Sequence, residues 1–223
     1  MLVLWSLLAV ALLSAASPLA HAAGEAVACP VDEAAVAAIA RDTSAELFTR
    51  PESTVPPAKR TARGLYLTAQ DAFDMVTEAP DKVLFIDVRT RGELQFIGMP
   101  TLVDGHVPFM VETSPPQWDE ASSTFKLAPN PTFVDDVGTR LARKALTRDD
   151  PVIVLCQGGL RAARAANALT QAGYTRAYAV IDGFEGDPVA EGPHKGERLV
   201  NGWRNAGLPW TAKLDRARMH GLD

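Results

Sequence analysis

The sequence predicts an α/β fold built on an open, mostly parallel sheet of about five strands with helices on both faces. The first observation is a set of continuously apolar runs, such as KVLFID at residues 82–87 and PVIVL at residues 151–155, which are typical of strands buried on both faces. The second is that segments with helical spacing separate these runs along the chain. This alternation favours parallel pairing, because each parallel crossover needs a connection of helix length.

The first 22 residues have the features of a secretory signal peptide. Met1–Ala22 contains no Asp, Glu, Lys or Arg, Leu2–Ala16 is apolar, and Ala20-His21-Ala22 fits an A-x-A cleavage site. We therefore expect a mature chain that begins at Ala23, resides in a bacterial periplasm and has no stable membrane span after cleavage. The alternative is an uncleaved membrane anchor, although the apolar run is shorter than the roughly 20 residues that a span needs.

Changes in composition divide the chain into four segments. Residues 1–22 are the signal peptide, and residues 23–63 are predicted as an N-terminal helix followed by a proline-rich linker. The helix is expected over Glu33–Phe48, and the remainder of that segment is expected to be extended because of its prolines. Residues 64–212 form the main domain, and residues 213–223 form a C-terminal tail.

The first half of the main domain begins with a helix and a buried strand. Thr68 is a suitable N-cap for a helix over Ala69–Glu78. The apolar run Lys82–Asp87 predicts a strand, and a short helix is expected before Gly98. Residues 105–111 then predict a turn and a further strand.

The second half repeats this alternation. Helical spacing resumes over Phe133–Leu146 and leads into the strand Pro151–Leu155. From Arg161 the sequence is rich in alanine and contains no helix breaker before Gly173, which is expected to end the helix. Residues 176–180 predict the last strand of the sheet.

The most informative stretch is the loop between the strand Pro151–Leu155 and the helix that follows it. Cys156 is expected at the carboxyl end of a central strand, where open α/β sheets bind their ligands. Two glycines allow backbone amides to turn towards an anion, the following helix directs its positive end at the sulfur, and Arg161 adds a permanent charge. These features favour a nucleophilic thiolate over an inert, buried cysteine. A nucleotide-binding P-loop is excluded because no Gly-Lys-Ser/Thr follows.

Composition narrows the classes of partner. The net charge of −5 offers no general attraction for nucleic acid. The chain has two cysteines, Cys29 and Cys156, and a disulfide between them would block the nucleophile. Cys29 thus remains open as a sulfur relay, as a disulfide partner for another protein or as an idle residue. No Cys or His pair has the spacing of a metal site, so neither a metal nor a cofactor is expected.

The loop CQGGLR resembles the Cys-x-x-Gly-x-Arg active-site loop of rhodanese-like (thiosulfate sulfurtransferase-like) domains. The resemblance covers about Gly64 to Pro209. Further blocks occur in the order of that family: Leu67-Thr68, Phe85-Ile86-Asp87-Val88-Arg89, Gly105-His106-Val107-Pro108, Asp182-Gly183-Phe184-Glu185-Gly186 and Trp203 with Gly207-Leu208-Pro209. Ala162 departs from the family, which often has a small hydroxyl residue there, and segments 96–104, 113–131 and 188–198 are longer than a minimal member needs.

The resemblance implies a single-domain sulfurtransferase with a rhodanese-like sheet. Such an enzyme moves sulfane sulfur from thiosulfate or a related donor to a thiophilic acceptor, such as cyanide or a thiol, through a cysteine persulfide. It assigns Cys156 as the nucleophile and Arg161 as a residue that helps to bind the anionic donor. The residues whose amides are implied to stabilise the persulfide are Gln157, Gly158, Gly159 and Leu160. Asp87 is expected to order the neighbouring loop, and Arg89 either pairs structurally or assists anion binding.

Two alternative functions stay open at the level of sequence. Cysteine-dependent phosphatases and arsenate reductases related to this family use Cys-x5-Arg, whereas four residues separate Cys156 from Arg161, which favours sulfur transfer. A non-catalytic binding module is the other alternative, and the long loops 113–131 and 188–198 would then contact a periplasmic protein partner. The expected small-molecule partners of the enzyme are a sulfur-containing anion and a thiol acceptor, with no nucleic acid.

Overall fold

A five-stranded parallel sheet forms the centre of the computed structural model, which describes residues 50–222. In chain order its strands are β1 (Tyr66–Leu67), β2 (Leu84–Asp87), β3 (Gly105–His106), β4 (Val152–Leu155) and β5 (Ala177–Val180). They lie in the spatial order β1-β5-β4-β2-β3, and every neighbouring pair is parallel. The predicted α/β class and five-stranded parallel sheet are confirmed, and β4 is the central strand.

Within the described residues, four α-helices connect and cover the strands. They are α1 (Ala69–Glu78), α2 (Arg91–Ile97), α3 (Phe133–Arg143) and α4 (Leu160–Gln171). Both α1 and α2 begin with capping boxes, in which Thr68 pairs with Asp71 and Thr90 pairs with Glu93. Helix α3 ends three residues before the predicted Leu146, because Ala145 adopts a left-handed conformation (φ 55°) that the helix cannot continue through.

The strands divide their side chains between two apolar layers. On one face Phe85, Ile153 and Tyr178 pack with α1 and with the buried Trp203. On the other face Leu84, Val152 and their neighbours on the same strands pack with α3 and α4. Successive side chains of a strand point to opposite faces, so strands covered on both sides must be apolar throughout. This explains the continuous apolar runs from which the sheet was predicted.

The long connection predicted over residues 113–131 contains three short strands. Strand Met110–Glu112 pairs with Leu127–Pro129, and Trp118–Asp119 pairs with Thr124–Phe125, both antiparallel. The Trp118 and Phe125 rings meet edge to face with centroids 5.4 Å apart. Another short pair joins Met99–Pro100 to Trp210–Thr211. The four strands between residues 110 and 129 are only two or three residues long, which is too short to show a periodicity in the sequence.

The segments that flank the domain are also folded onto it. The predicted linker contains two 3₁₀ turns, Glu52–Thr54 and Pro57–Lys59, and its Val55 is only 1% exposed. Within the predicted C-terminal tail, Arg216–Arg218 forms a 3₁₀ turn and Met219 is buried. Both segments therefore add to the packed domain in this structure.

The signal peptide, the helix over Glu33–Phe48 and Cys29 lie outside the described residues. Within residues 50–222, no helix combines the length and apolar character required to cross a membrane.

Candidate active site

Cys156 lies at the carboxyl edge of the sheet, directly after the central strand β4. The neighbouring strand β2 ends beside it, since Asp87 is in register with Leu155. A pocket of about 270 Å³ opens at this edge. Its lining residues are Lys59, Cys156, Gln157, Gly158, Leu160, Arg161, Asp187, Pro188 and Arg198. The topology thus brings the predicted nucleophile to the edge where parallel sheets bind ligands.

A larger cavity, of about 630 Å³, lies at the other edge of the sheet. It is lined by residues that precede strands, among them Val83, Pro151 and Arg176. Because the strands are parallel, their amino ends are a strand length away from Cys156. This cavity is therefore separate from the cysteine site, although it is larger than the pocket beside Cys156.

The Cys156 sulfur is held by two backbone amides. The N–H groups of Gly159 and Ala162 each donate to Sγ over 3.2 Å, and the residue is 1% exposed. Both donors belong to the turn that starts α4, whose positive end faces the sulfur. An enclosed sulfur with two amide donors is well suited to carry the negative charge of a thiolate.

The shape of the loop depends on the absence of a side chain at Gly159. This residue has φ 93°, and a Cβ placed on it would lie 2.0 Å from the carbonyl oxygen of Ile181. The segment after β5 supports the loop from behind, since Phe184 N–H donates to the Cys156 carbonyl over 2.8 Å. Glu185 N–H donates in the same way to Gln157 over 2.9 Å.

One of the four residues predicted to stabilise the persulfide, Gly159, donates to the Cys156 sulfur, and the role of the four amides towards the persulfide stays a prediction. Gly159 donates to Sγ, whereas Gln157, Gly158 and Leu160 line the pocket without a hydrogen bond to it among the described residues. The second donor is Ala162, where the sequence pointed only to a missing hydroxyl group. Gly159 is the left-handed N-cap residue of α4 and Ala162 lies in its first turn, so both donors are amides of this helix end without a partner inside the helix.

Arg161 lines the pocket but is bound to a carboxylate. Its two terminal nitrogens contact the two oxygens of Glu93, with Nη1 at 2.7 Å from Oε2. Burial raises the pKa of Glu93, but the hydrogen bonds and charge of Arg161, together with the hydrogen bonds from Thr90, outweigh burial and lower it. The pKa of Arg161 is raised, because Glu93, with smaller contributions from Cys156 and Asp87, outweighs the effect of burial, which lowers it. The role of Arg161 in donor binding stays a prediction.

Two basic residues of the pocket were missed by sequence reasoning. Lys59 reaches in from the predicted linker, where its Nζ lies 2.6 Å from Asp187 Oδ1 and 2.8 Å from the Ile181 carbonyl oxygen. Arg198 comes from the end of loop 188–198 and donates through Nη1 to the carbonyl of Gly186. Neither position carries a local sequence signal, because each reaches the cysteine only through the tertiary fold.

Asp87 and Arg89 form a buried ion pair beneath the site, and both are fully enclosed. Arg89 Nη2 donates to Asp87 Oδ2 over 2.6 Å and to the Gly98 carbonyl over 2.8 Å. The guanidinium carbon of Arg89 also lies 4.2 Å above the Phe184 ring. This geometry supports structural pairing, the first of the two alternatives for Arg89. It also ties the end of β2 to the segment that supports the cysteine loop.

Comparison with known proteins gives one family match and several relatives. The family profile described as "Rhodanese-like domain" matches residues 68–186. An uncharacterized protein of Rickettsia conorii is 29% identical over 139 residues, covering 62% of this chain and 90% of its own. An uncharacterized protein of Rickettsia prowazekii is 26% identical over 130 residues, covering 58% and 84%.

Solved structures give a similar result. The crystal structure of Rv0390 from M. tuberculosis aligns with a TM-score of 0.50 and 32% identity, covering 66% of this chain and 97% of that one. The solution structure of the polysulfide-sulfur transferase homodimer of Wolinella succinogenes aligns with a TM-score of 0.37 and 20% identity, covering 81% and 90%. The second similarity is too slight to bear on this chain.

Proposed function

Because the chain belongs to the rhodanese-like domain family, we propose that it is a sulfurtransferase whose Cys156 carries sulfane sulfur as a persulfide. The observation that supports this most is the position of Cys156 Sγ, which meets two amide donors at 3.2 Å beside a pocket with basic walls. Amide donors of this kind stabilise an anionic sulfur without needing a proton or a metal. The same loop amides can stabilise both anionic forms of Cys156 in the cycle, the thiolate and the persulfide, whose charge lies on the outer sulfur.

The proposed reaction has two half-reactions. In the first, the Cys156 thiolate attacks the outer sulfur of thiosulfate or a related donor, the S–S bond of the donor breaks, and sulfite leaves with the electron pair. In the second, an acceptor such as cyanide or a thiolate attacks the terminal sulfur of the persulfide, and the cysteine thiolate departs. Because the enzyme is modified between the two steps, ping-pong kinetics are expected.

The size of the pocket supports small partners. Its volume of about 270 Å³ is below the range of about 300–1,000 Å³ that is typical of drug-sized ligand sites. A donor the size of thiosulfate and an acceptor such as cyanide or a low-molecular-weight thiol would fit such a space. The positive side chains on its walls favour an anionic donor.

The two alternative functions find less support in this geometry. A phosphatase would need a guanidinium turned towards a bound phosphate, whereas that of Arg161 is engaged with Glu93. A non-catalytic binding module does not require amide donors at its cysteine sulfur, whereas the Cys156 sulfur accepts from two amides. Sulfur transfer is therefore the function that we propose.

We further propose that the protein acts in the periplasm after removal of residues 1–22. This proposal rests on the apolar run and cleavage site in the sequence. Amino-terminal sequencing of the exported protein should give Ala23 as the first residue. Retention of Met1 on exported protein would contradict it.

The activity is tested by turnover of thiosulfate and cyanide to thiocyanate and sulfite. The wild-type protein should turn over with parallel double-reciprocal plots, as expected for a ping-pong cycle. Cys156→Ala should abolish the reaction, and Cys29→Ala, which removes the other cysteine, should retain it. Turnover of an aryl phosphate without thiocyanate formation would instead favour the phosphatase, and a Cys156→Ala protein with wild-type biological function would favour the binding module.

A further inference from the structure

The pocket beside Cys156 carries an uneven set of charges. Three of its lining residues are basic, namely Lys59, Arg161 and Arg198, and one, Asp187, is acidic. The basic residues come from three separate parts of the chain: the segment before β1, the start of α4 and the end of loop 188–198. The charge that an incoming donor experiences depends on which of these cations already has a carboxylate partner.

Two of the three cations are matched by carboxylates. Arg161 makes a two-pronged contact with Glu93, and their side chains are 19% and 18% exposed. Lys59 lies 2.6 Å from Asp187 and also binds the Ile181 carbonyl. A charge held this close to its opposite has little field left to attract a ligand. These two residues mainly fasten α4 to α2 and the segment before β1 to the loop after β5.

Arg198 differs from the other two cations. Its Nη1 donates to the Gly186 carbonyl, and no carboxylate among residues 50–222 lies within ion-pair distance of its guanidinium. Three cations therefore face two carboxylates, and the excess positive charge of the pocket belongs to Arg198. The guanidinium keeps further N–H donors beyond the one that it gives to Gly186.

The position of Arg198 over the cysteine loop is fixed by its surroundings. A Cβ at residue 158 would lie 2.8 Å from Arg198 Nη1, so Gly158 leaves the space in which this guanidinium lies. Arg198 also closes the base of its loop through a backbone bridge to Pro188. Its carbonyl oxygen accepts from Asn205 Nδ2 over 3.0 Å. The side chain therefore starts from an anchored backbone beside the nucleophile.

We propose that Arg198, rather than Arg161, binds the oxyanion end of the sulfur donor and selects donors that carry such a group. This inference rests on the proposed sulfur transfer at Cys156. The donor class is then a sulfane-sulfur compound with a terminal oxyanion beyond the transferred sulfur, as in thiosulfate, and not an uncharged one. A guanidinium is suited to this role because its forked donors match the oxygens of a sulfonate or similar group.

The test compares alkylation of Cys156 by iodoacetate, which is an anion, with alkylation by the neutral iodoacetamide. Mass spectrometry of the tryptic peptide that contains Cys156 follows this residue without interference from Cys29; the peptide spans residues 149–161, or residues 149–164 where Arg161 is replaced. In Arg198→Gln the rate with iodoacetate divided by the rate with iodoacetamide should fall about three- to tenfold, the effect of one unit charge at close range. Arg198→Lys should keep most of the wild-type ratio, because lysine carries the same positive charge. The KM for thiosulfate should rise in Arg198→Gln by a similar factor.

Two controls make the comparison specific. Arg164→Gln removes the same charge from an exposed position of the same helix as Arg161, and it should leave the ratio unchanged. The double variant Arg161→Gln with Glu93→Gln removes a matched pair, and it should also leave the ratio near wild type. A wild-type ratio in Arg198→Gln, or a fall in the double variant alone, would overturn the proposal. If thiosulfate loads no sulfur on the wild-type protein, the proposed function fails, while the alkylation ratio still reports the charge of Arg198.

Discussion

At the scale of single residues, the conformation of the Cys156 loop depends on Gly159. Its backbone is left-handed, and the Ile181 carbonyl oxygen occupies the place where a side chain would begin. One residue thus positions both the amide that donates to Cys156 and the start of α4. Replacing Gly159 tests whether the loop that donates to the Cys156 sulfur requires this backbone geometry.

Gly159→Ala should lower both stability and activity. The Cβ cannot lie 2.0 Å from a carbonyl oxygen, so the loop must move. A displacement of about 1 Å near a nucleophile costs about a hundredfold in rate. The free energy of unfolding should fall by about 2–4 kcal/mol, which combines backbone strain with the clash. Urea unfolding and thiosulfate–cyanide turnover measure the two effects.

The matched control is Gly192→Ala. Gly192 is also left-handed, at φ 85°, but beyond its two chain neighbours no atom lies within 4 Å of the point where a Cβ would be, so only backbone strain applies. It should lose about 1 kcal/mol of stability and retain activity. Equal losses in the two variants would mean that the close approach to Ile181 has no effect.

At the scale of elements, the joint between β5 and α1 depends on one buried carboxyl group. Asp182 follows β5, is 8% exposed, and accepts the Ala69 N–H of α1 over 2.8 Å. Burial raises the pKa of Asp182 from 3.8 to about 6, against the opposing effect of its backbone hydrogen bonds. The folded protein therefore favours the protonated form, whereas the unfolded chain ionises near its ordinary value.

This raised pKa predicts a pH dependence. The contribution of Asp182 to stability is greatest below about pH 4 and is lost as the pH rises through about 6. Asp182→Asn keeps an oxygen acceptor for Ala69 and cannot ionise. Relative to wild type, the variant should gain up to about 3 kcal/mol in free energy of unfolding between pH 4 and pH 7. Urea titrations at both pH values give this difference, and an equal difference at the two pH values would contradict the assignment.

The elements that sequence reasoning predicted are those whose signals are local. The helix over Ala69–Glu78 has its cap, Thr68, next to it, and β4, the loop of Cys156 and α4 are consecutive in the chain. The parts that it missed depend on contacts between distant segments. Glu93 as partner of Arg161, and Lys59 and Arg198 in the pocket, appear only once the sheet brings them together. The end of α3 was wrong because nothing local in the sequence signals the left-handed turn at Ala145.

At the scale of the whole molecule, the folded domain includes residues on both sides of the recognisable motifs, which run from about Gly64 to Pro209. Arg218 Nη1 donates to the Thr101 and Val103 carbonyls, and Ala62 N–H donates to Asn167 Oδ1. These contacts attach both flanking segments to the domain. The earlier segment also carries Lys59, so its packing and the pocket charge are linked.

Val55→Ala tests the packing of the segment before β1. Val55 is 1% exposed, and removing two buried methyl groups should lower the free energy of unfolding by about 1–2 kcal/mol. Val200→Ala is the matched control, because Val200 is 60% exposed and its loss should be below about 0.5 kcal/mol. Chemical unfolding measures both, and equal values would mean that residues 50–63 do not belong to the folded unit.

The central claim concerns one sulfur atom on Cys156, and intact-protein mass spectrometry after incubation with thiosulfate tests it most directly. The wild-type and Cys29→Ala proteins should each become heavier by one sulfur atom, and cyanide should return them to the starting mass. Cys156→Ala should show no change. An unmodified wild-type protein, or an adduct that persists in Cys156→Ala, would contradict a persulfide carried by Cys156.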